Sequence, residues 1–564
     1  MPMRGGRLPA DPDGPVADTD RSVGNREAGE AGSRGPVPGA RRVLGTRTGR
    51  GAAALLAGAL PALAFPAPSL WWLAYVALVP WLLLIRSADT GRRAALDGWL
   101  GGTGFVLAAH HWLMPSLHVF IVVLAALLGL LWAPWGLLVS RLLGGAPSAG
   151  RSVAAVAVVP SGWLMIELVR SWEGLGGPWG LLGASQWEFA PALRTASVGG
   201  VWLVSLLVVA VNTAVAQLVG KAAQRTAALI CLVVCALGVG AIWTWAPRPG
   251  SAGTTTRVAV VQPGVIEGPG SIERRFARSE ELTRTLAGRG VGLVVWGESS
   301  VGVDLTRSPG ISARLTALSR EVGADVLVNM DARRTDGPDR TGIFKSAVLV
   351  GPDGPTGDRY DKMRLVPFGE YVPARALLGW ATSVGKAAGE DRQRGEAPVV
   401  MDLSDGGGPR IGPLVCFETA FPDMSRHLVR EGAQVLVAQS STSTFQHSWA
   451  PAQHASLGAL RAAESGRPMV HATLTGVSAV YGPEGEPVGT PLGTDASGAA
   501  VYDVPLARGT TLYVRLGAWP VYGALAVLAG FLAAAGAGAL RTSAPGRRGP
   551  RAHTAGGSPA RPGR

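Results

Sequence analysis

From about residue 51 the chain becomes a run of apolar segments, and nothing else in the sequence constrains its fold as tightly. Candidate spans cover roughly 51–65, 69–86, 95–113, 117–140, 152–170, 197–219 and 226–246, and an eighth follows near 518–540. Lipid offers the backbone no hydrogen-bond partner, so such segments cross it as helices, each needing ~20 apolar residues for ~30 Å of hydrocarbon. Several approach that length; the first is short and holds Pro61. The whole chain agrees, being 47% hydrophobic yet carrying a formal net charge of +13. A nucleic-acid binder would be basic in its folded middle, whereas much of this excess sits in tails and short loops.

Charge also orients the spans. Arg41, Arg42, Arg47 and Arg50 precede the first, Arg86, Arg92 and Arg93 follow the second, and Arg141 and Arg151 bracket the connection after the fourth. Lys221 and Arg225 follow the sixth; Arg541, Arg547, Arg548 and Arg551 follow the eighth. If eight spans are counted, every cluster falls on one side, which the positive-inside rule makes cytoplasmic. The expected organisation is a disordered basic cytoplasmic tail (1–50), a membrane domain of seven helices (51–248), a polar insert outside the cytoplasm (about 250–515), an eighth helix (516–541) and a second basic tail (542–564). No signal-peptide pattern begins at Met1, so the first helix is expected to act as an uncleaved signal. One external loop, 170–196, carries Trp172, Trp179 and Trp187 among glycines, as an interfacial aromatic belt or a lipid- or substrate-facing loop. Glu167 at the end of the fifth span either pairs with Arg170 or has a function, since ionisable groups in lipid are costly. His110, His111 and His118 flank a turn and read as interfacial, without metal.

The insert alternates β-branched runs with amphipathic stretches. Strands are expected at 257–262, 291–296, 324–330, 344–350, 410–416, 433–439, 467–473 and 476–481, and helices at 272–287, 310–322, 420–431 and 451–465. That alternation predicts a layered α/β domain. Residues 374–400 fit neither pattern and read as a long loop of the kind that serves as a lid.

Cys231 and Cys235 lie inside an apolar run, which leaves Cys416 as the one cysteine of the polar half. No CxxC or Cys/His spacing points to a metal, and no neighbour offers a disulfide. Lysine occurs only at Lys221, Lys345, Lys362 and Lys386 in an otherwise arginine-rich chain, a hint that a compact ammonium is needed where one is kept. Glu298 follows the apolar run VGLVVW, Lys362 lies in the turn RYDKMRLVPFGEYVP, and Cys416 ends IGPLVC before an expected helix start. Functional groups gather at the carboxyl ends of strands in α/β sheets, so these three can converge. A thiol of pKa about 8.5 is mostly protonated at neutral pH, and a nearby carboxylate can take its proton as it attacks. A helix start would favour the thiolate, while Lys362 and the Phe417 backbone N–H would stabilise a carbonyl oxyanion. Taken singly, each residue reads as well as packing or solvated surface.

The segments VVWGES, YDKMRLVPFGEYVP, VCFE and AAESGRPMVHATLTGVSAVYGPEG together resemble the nitrilase superfamily, specifically its membrane-embedded apolipoprotein N-acyltransferase branch. The resemblance covers about residues 51–540. It implies a polytopic helical membrane domain of about eight spans plus an extracytoplasmic αββα nitrilase-like sandwich, in a multi-pass protein of the cell membrane. It places the family's base on Glu298, its lysine on Lys362 and its nucleophile on Cys416, with supporting glutamates at Glu370 and Glu418. Three departures stand out: Phe417 where tyrosine is common, SSTSTFQ at 440–446 where the family often has Asn-Asp-x-Trp-Phe-Gly, and Gly297 in place of a frequent proline.

The implied reaction is acyl transfer in two halves, from a membrane phospholipid to Cys416 and then to the N-terminal amine of an apolipoprotein's diacylglyceryl-cysteine. Lifting a chain of about sixteen carbons into water would cost roughly 13 kcal/mol at ~0.8 per CH₂, which explains why a membrane domain accompanies the chemistry. The 374–400 and 170–196 loops are candidate gates. The partners are lipid bilayer, phospholipid and apolipoprotein; no nucleic acid, metal or diffusible cofactor is called for. A membrane-tethered amidase of the same superfamily and a non-catalytic membrane scaffold are the competing readings.

Overall fold

Prolines decide how the helical part begins. The computed structural model describes residues 46–335, 341–379, 389–404, 406–543 and Gly563; nearly all of both expected tails and the middle of the expected 374–400 lid lie outside these. Helix α1 (Arg47–Ala59) gives way to a 3₁₀ turn at Leu60–Ala64, where Pro61 has no N–H to continue the helical ladder. The second expected span is likewise divided, into a 3₁₀ turn at Trp71–Tyr75 and the short helix α2 (Val79–Arg86), with Pro80 in its first turn. Helix α3 (Gly91–Ala109) is dense in glycine because its neighbours come close: a Cβ on Gly101 would lie 2.0 Å from the Trp81 ring. The fourth expected span is two helices, α4 (Phe120–Gly129) and α5 (Trp132–Leu143), meeting at 41°.

Long helices follow: α6 (Ala149–Arg170), α7 (Ala190–Leu218), α8 (Ala222–Trp245) and, after the α/β part, α13 (Trp519–Ser543). Among the described residues four helices are long and apolar enough to cross a membrane, or five if α4 and α5 count as one span. Leu229, Ile230, Val233, Val234 and Leu237 stand exposed along α8, and Tyr522, Leu525 and Leu532 along α13. An apolar helix with a bare outer face suits a lipid surrounding.

Between α8 and α13 lies a nitrilase-like α/β fold of two sheets. The larger has strand order β10-β1-β2-β3-β4-β5, built from β1 (Gly250–Gln262), β2 (Leu293–Trp296), β3 (Asp325–Thr335), β4 (Thr341–Gly351), β5 (Gly354–Asp361) and β10 (Gly498–Arg508). β1, β2 and β3 are parallel, and β4, β5 and β10 add antiparallel edges. The smaller sheet is β6 (Ile411–Val415), β7 (Val435–Ser440), β8 (Met469–Thr473) and β9 (Ala479–Tyr481), parallel through β8. Helices α9 (Ser271–Arg284) and α10 (Pro309–Val322) cover the first sheet through Phe276, Leu282, Leu315 and Leu318. Helices α11 (Pro422–Arg430) and α12 (Ala450–Ser465) pack against the second. The inner faces are joined by polar side chains: Gln439 Nε2 donates to Trp296 O at 2.9 Å, and Gln262 Oε1 accepts from Thr473 and Ser478 at 2.9 and 2.6 Å. Each expected strand and helix of the insert has a counterpart; β5 and β10 are additional.

Candidate active site

The strand ends bring Glu298, Lys362 and Cys416 to one place. Past β2 the two sheets nearly touch, for a Cβ on Gly297 would sit 2.0 Å from Leu474 N; this is what glycine permits in place of proline. The next residue, Glu298, is fixed across the gap by its N–H, which donates to Ser440 O at 3.0 Å. Lys362 follows β5, with its N–H on Lys345 O at 2.8 Å, and its Nζ lies 3.3 Å from Glu298 Oε1 and 2.8 Å from Glu370 Oε1. Glu370 is aimed by its own turn, accepting Val366 N–H at 2.8 Å. Glu298, Lys362 and Glu370 are all buried.

Cys416 sits directly after β6 with φ of 52°, a left-handed conformation that a non-glycine residue holds only when its surroundings fix it. Glu418 supplies much of that. One of its oxygens accepts from Tyr360 Oη (2.6 Å), Met363 N (2.7 Å) and Arg364 N (3.0 Å), and the other accepts Val415 N (2.8 Å). This one carboxylate therefore ties the strand that ends at Cys416 to the turn that carries Lys362. The Cys416 carbonyl accepts from His454 Nε2 at 2.9 Å. The expected helix start is a 3₁₀ turn, Cys416–Ala420, and α11 begins only at Pro422. Phe417 is the second residue of that turn, where N–H groups lack an acceptor within the turn itself. Its ring packs edge-on to Phe421 and against Gly177, whose φ of 68° and lack of Cβ admit it.

Burial works against the thiolate expectation. Burial first, and the Glu298 charge second, push the Cys416 thiol up to about 12, against the opposing pull of Lys362. Burial alone would raise Glu298 too, but Lys345 and Lys362 outweigh it and hold that carboxyl down to about 2. Both shifts favour a protonated Cys416 thiol beside an ionised Glu298 carboxylate. That pair is set for proton transfer during attack, with no thiolate formed beforehand.

Sequence reasoning passed over Lys345. It projects from β4 to within 2.7 Å of Glu298 Oε1, nearer than Lys362. The scarcity of lysine was the available signal, and it applies to Lys345 as fully as to Lys362. Also unmarked was Gln453, whose Oε1 accepts the indole N–H groups of Trp112 (3.1 Å) and Trp179 (2.9 Å). Its neighbour His454 bonds to the Cys416 carbonyl, so the tryptophans of the helical part reach Cys416 in two steps. Phe445, retained in the divergent SSTSTFQ stretch, packs edge-on to Trp112 at 5.0 Å. In the 170–196 loop, Trp172 is exposed, while Glu173 accepts from Leu365 N and pairs with Arg394 at 2.7 Å. Glu167 braces this loop by accepting Leu182 N at 2.7 Å, and Arg170 donates to Trp179 O at 2.8 Å. His111 stacks edge-on with Trp449, and His110 bonds to Val106 O. Among the described residues no cluster of His, Cys, Asp and Glu is arranged to hold a metal.

Residues 57–214 match the model of the apolipoprotein N-acyltransferase N-terminal domain, and residues 257–513 match that of the carbon-nitrogen hydrolases. An apolipoprotein N-acyltransferase of Geobacter metallireducens is 31% identical over 505 residues, covering 84% of this chain and 94% of that protein. The chain belongs to the apolipoprotein N-acyltransferase family. Apolipoprotein N-acyltransferases of Pseudomonas aeruginosa (strain LESB58) and Gloeobacter violaceus are also 31% identical, covering 84% and 83% of this chain and 94% and 91% of their own. Among solved structures, a variant of the Nesterenkonia AN1 amidase of the nitrilase superfamily aligns at 23% identity. It covers 45% of this chain and 94% of its own, with a TM-score of 0.33. Within this N-acyltransferase the two family matches divide at the structural seam, one ending inside α7 and the other beginning in β1.

Proposed function

We propose that this enzyme moves a fatty acyl chain from a membrane phospholipid to the N-terminal amine of an apolipoprotein's diacylglyceryl-cysteine, through a thioester on Cys416. The observation that carries this reading is the convergence of Glu298, Lys362 and Glu370 on the thiol, beside tryptophans of the helical part. In the first half-reaction the Cys416 sulfur bonds to the ester carbonyl carbon while its proton passes to Glu298. The carbonyl electron pair moves onto oxygen, stabilised by the Lys362 ammonium and the Phe417 N–H. Collapse breaks the ester C–O bond, and the lysophospholipid leaves as an alcohol with the proton from Glu298. In the second half the acceptor's amine attacks the thioester and gives its proton to Glu298, which returns it to the departing sulfur. Glu370 holds Lys362 in place, and Glu418 holds the strand and turn together.

The membrane arrangement we favour keeps eight crossings, with α1 and its following 3₁₀ turn counted as one broken span and the Trp71–Tyr75 turn with α2 as the next. Both termini are cytoplasmic and the nitrilase-like part lies outside, with the arginine clusters as support. The domains are then 51–248, 250–515 and 516–541, flanked by basic tails. The 170–196 loop, which reaches Phe417 through Gly177, is the favoured lipid-side gate, with 374–400 as its partner.

The test supplies membranes containing the full chain with a phospholipid labelled in its acyl group. Hydroxylamine-labile label on Cys416, absent in Cys416→Ala, and amide-linked label on an acceptor lipoprotein are expected. Free fatty acid without acylated acceptor would establish a hydrolase instead. Absence of any label on the wild-type chain would leave a membrane scaffold.

A further inference from the structure

Four charged side chains fill the floor of the site in alternating order. Lys345 Nζ lies 2.7 Å from Glu298 Oε1 and 3.2 Å from Glu370 Oε1; Lys362 Nζ lies 3.3 and 2.8 Å from the same two atoms. Each lysine is thus nearest a different carboxylate, and each is within reach of both. The lysine side chains are 13% and 0% exposed and the two glutamates 4% and 7%, so water screens this group little. Other groups facing it are few. Asp331 stands opposite Lys345 in the β3–β4 register, 4.0 Å from Nζ, and is shared with Arg392 at 3.3 Å. Ser299 Oγ is 3.5 Å from Lys345, the Cys416 thiol bonds to Glu298, and buried His454 is neutral, its pKa lowered to about 4 chiefly by desolvation.

Resting on the Cys416–Glu298–Lys362 reading, we infer that Lys345 is a positioning residue of the acyl transfer: it keeps Glu298 ionised as proton acceptor and leaves Lys362 for the oxyanion. Charge arithmetic supports the division. In the resting site two carboxylates and two ammoniums sum to zero beside a neutral thiol. After attack, Glu298 carries the thiol's proton and the substrate oxygen carries the negative charge, so the sum is again zero. Proton transfer therefore occurs without building net charge in a buried place, where uncompensated charge is most costly. Without Lys345 the resting site would hold two carboxylates against one ammonium, and the cheapest relief is a proton on a carboxylate. A protonated Glu298 cannot accept the thiol's proton.

The inference is tested by following single-turnover formation of the Cys416 thioester across pH, using full-length chains in membranes with labelled phospholipid. The wild type is expected to keep a flat rate from about pH 8 to about pH 5, its base being ionised throughout. Lys345→Gln is expected to lose about tenfold in rate per pH unit on the acid side of about pH 7, as one proton blocks the base. A Lys345→Gln profile parallel to the wild type at every pH, whatever its height, would overturn the assignment. Should that variant not fold, Lys345→Gln/Glu370→Gln restores the charge balance and is expected to be slower yet flat. An acid limb in the double variant as steep as predicted for the single one would equally overturn it. Wild-type chain that forms no label on Cys416 instead sinks the nucleophile reading itself, a failure distinct from either profile.

Discussion

Cys416 shows how much of a thiol's character is set by its neighbours. Its thiol is pushed up to about 12 by burial and by Glu298, while Lys362 and Lys345 pull the other way. Removing the glutamate's charge leaves burial but takes away the second upward push, so Glu298→Gln should alkylate faster with iodoacetamide at pH about 7 than the wild type, because more thiolate is present. The same variant should form thioester from phospholipid far more slowly, having lost its base; comparing the two rates on one preparation separates reactivity from catalysis. If alkylation slows as well, the thiol is governed by something other than the Glu298 charge. Glu418 makes a different prediction. Glu418→Ala strands four buried or partly buried donors at once and should cost about 3–5 kcal/mol, read as a lowered unfolding temperature. Tyr360→Phe removes one of those bonds and should cost about 1–2 kcal/mol.

The elements bear out a layered reading of the insert, and the two missed strands explain themselves. β5, GPTGDRYD, is polar and glycine-containing, and β10 contains Pro505; both lie at sheet edges, where alternation of apolar residues is weakest and proline is tolerated. Glu298, Lys362 and Cys416 were legible because each closes a recognisable strand or turn. Lys345 was not, since FKSAVLV reads as a strand with a polar face, and one strand alone does not reveal which face meets a second sheet. The helical part was harder still: hydropathy marks apolar stretches but not their continuity, which Pro61 and Pro80 break. Helix α7 carries a further break that hydropathy hides. Gly200 adopts φ of 68°, and the freed N–H of Val201 donates to Glu464 Oε1 of α12 at 2.6 Å. A Cβ on Gly200 would lie 2.6 Å from the Tyr513 ring, so Gly200→Ala should destabilise the fold by about 1–3 kcal/mol, measurable by thermal unfolding in detergent. An unchanged unfolding temperature would show that the break tolerates a side chain.

At the scale of the molecule, the nitrilase-like part and the helices are fastened together close to the chemistry. Gln453 takes two indole N–H groups from the helical part, and Gln453→Leu would leave both buried donors without an acceptor. A loss of about 2–4 kcal/mol is expected, with earlier proteolytic release of the 250–515 part on heating. Topology is checked at this scale too. A cysteine introduced at exposed Asp353 should react with an impermeant maleimide in intact cells, whereas one introduced in residues 1–45 should react only after permeabilisation. The reverse pattern would invert the proposed orientation. The alternating ring of Lys345, Glu298, Lys362 and Glu370 has a consequence beyond proton transfer. Such a quadrupole-like arrangement has no net monopole, so its field fades within a few ångströms and couples weakly to ions or headgroups outside. These four charges should then add little to any dependence of turnover on the ratio of anionic to zwitterionic lipid, which is left to the donor's own headgroup and to the arginine clusters.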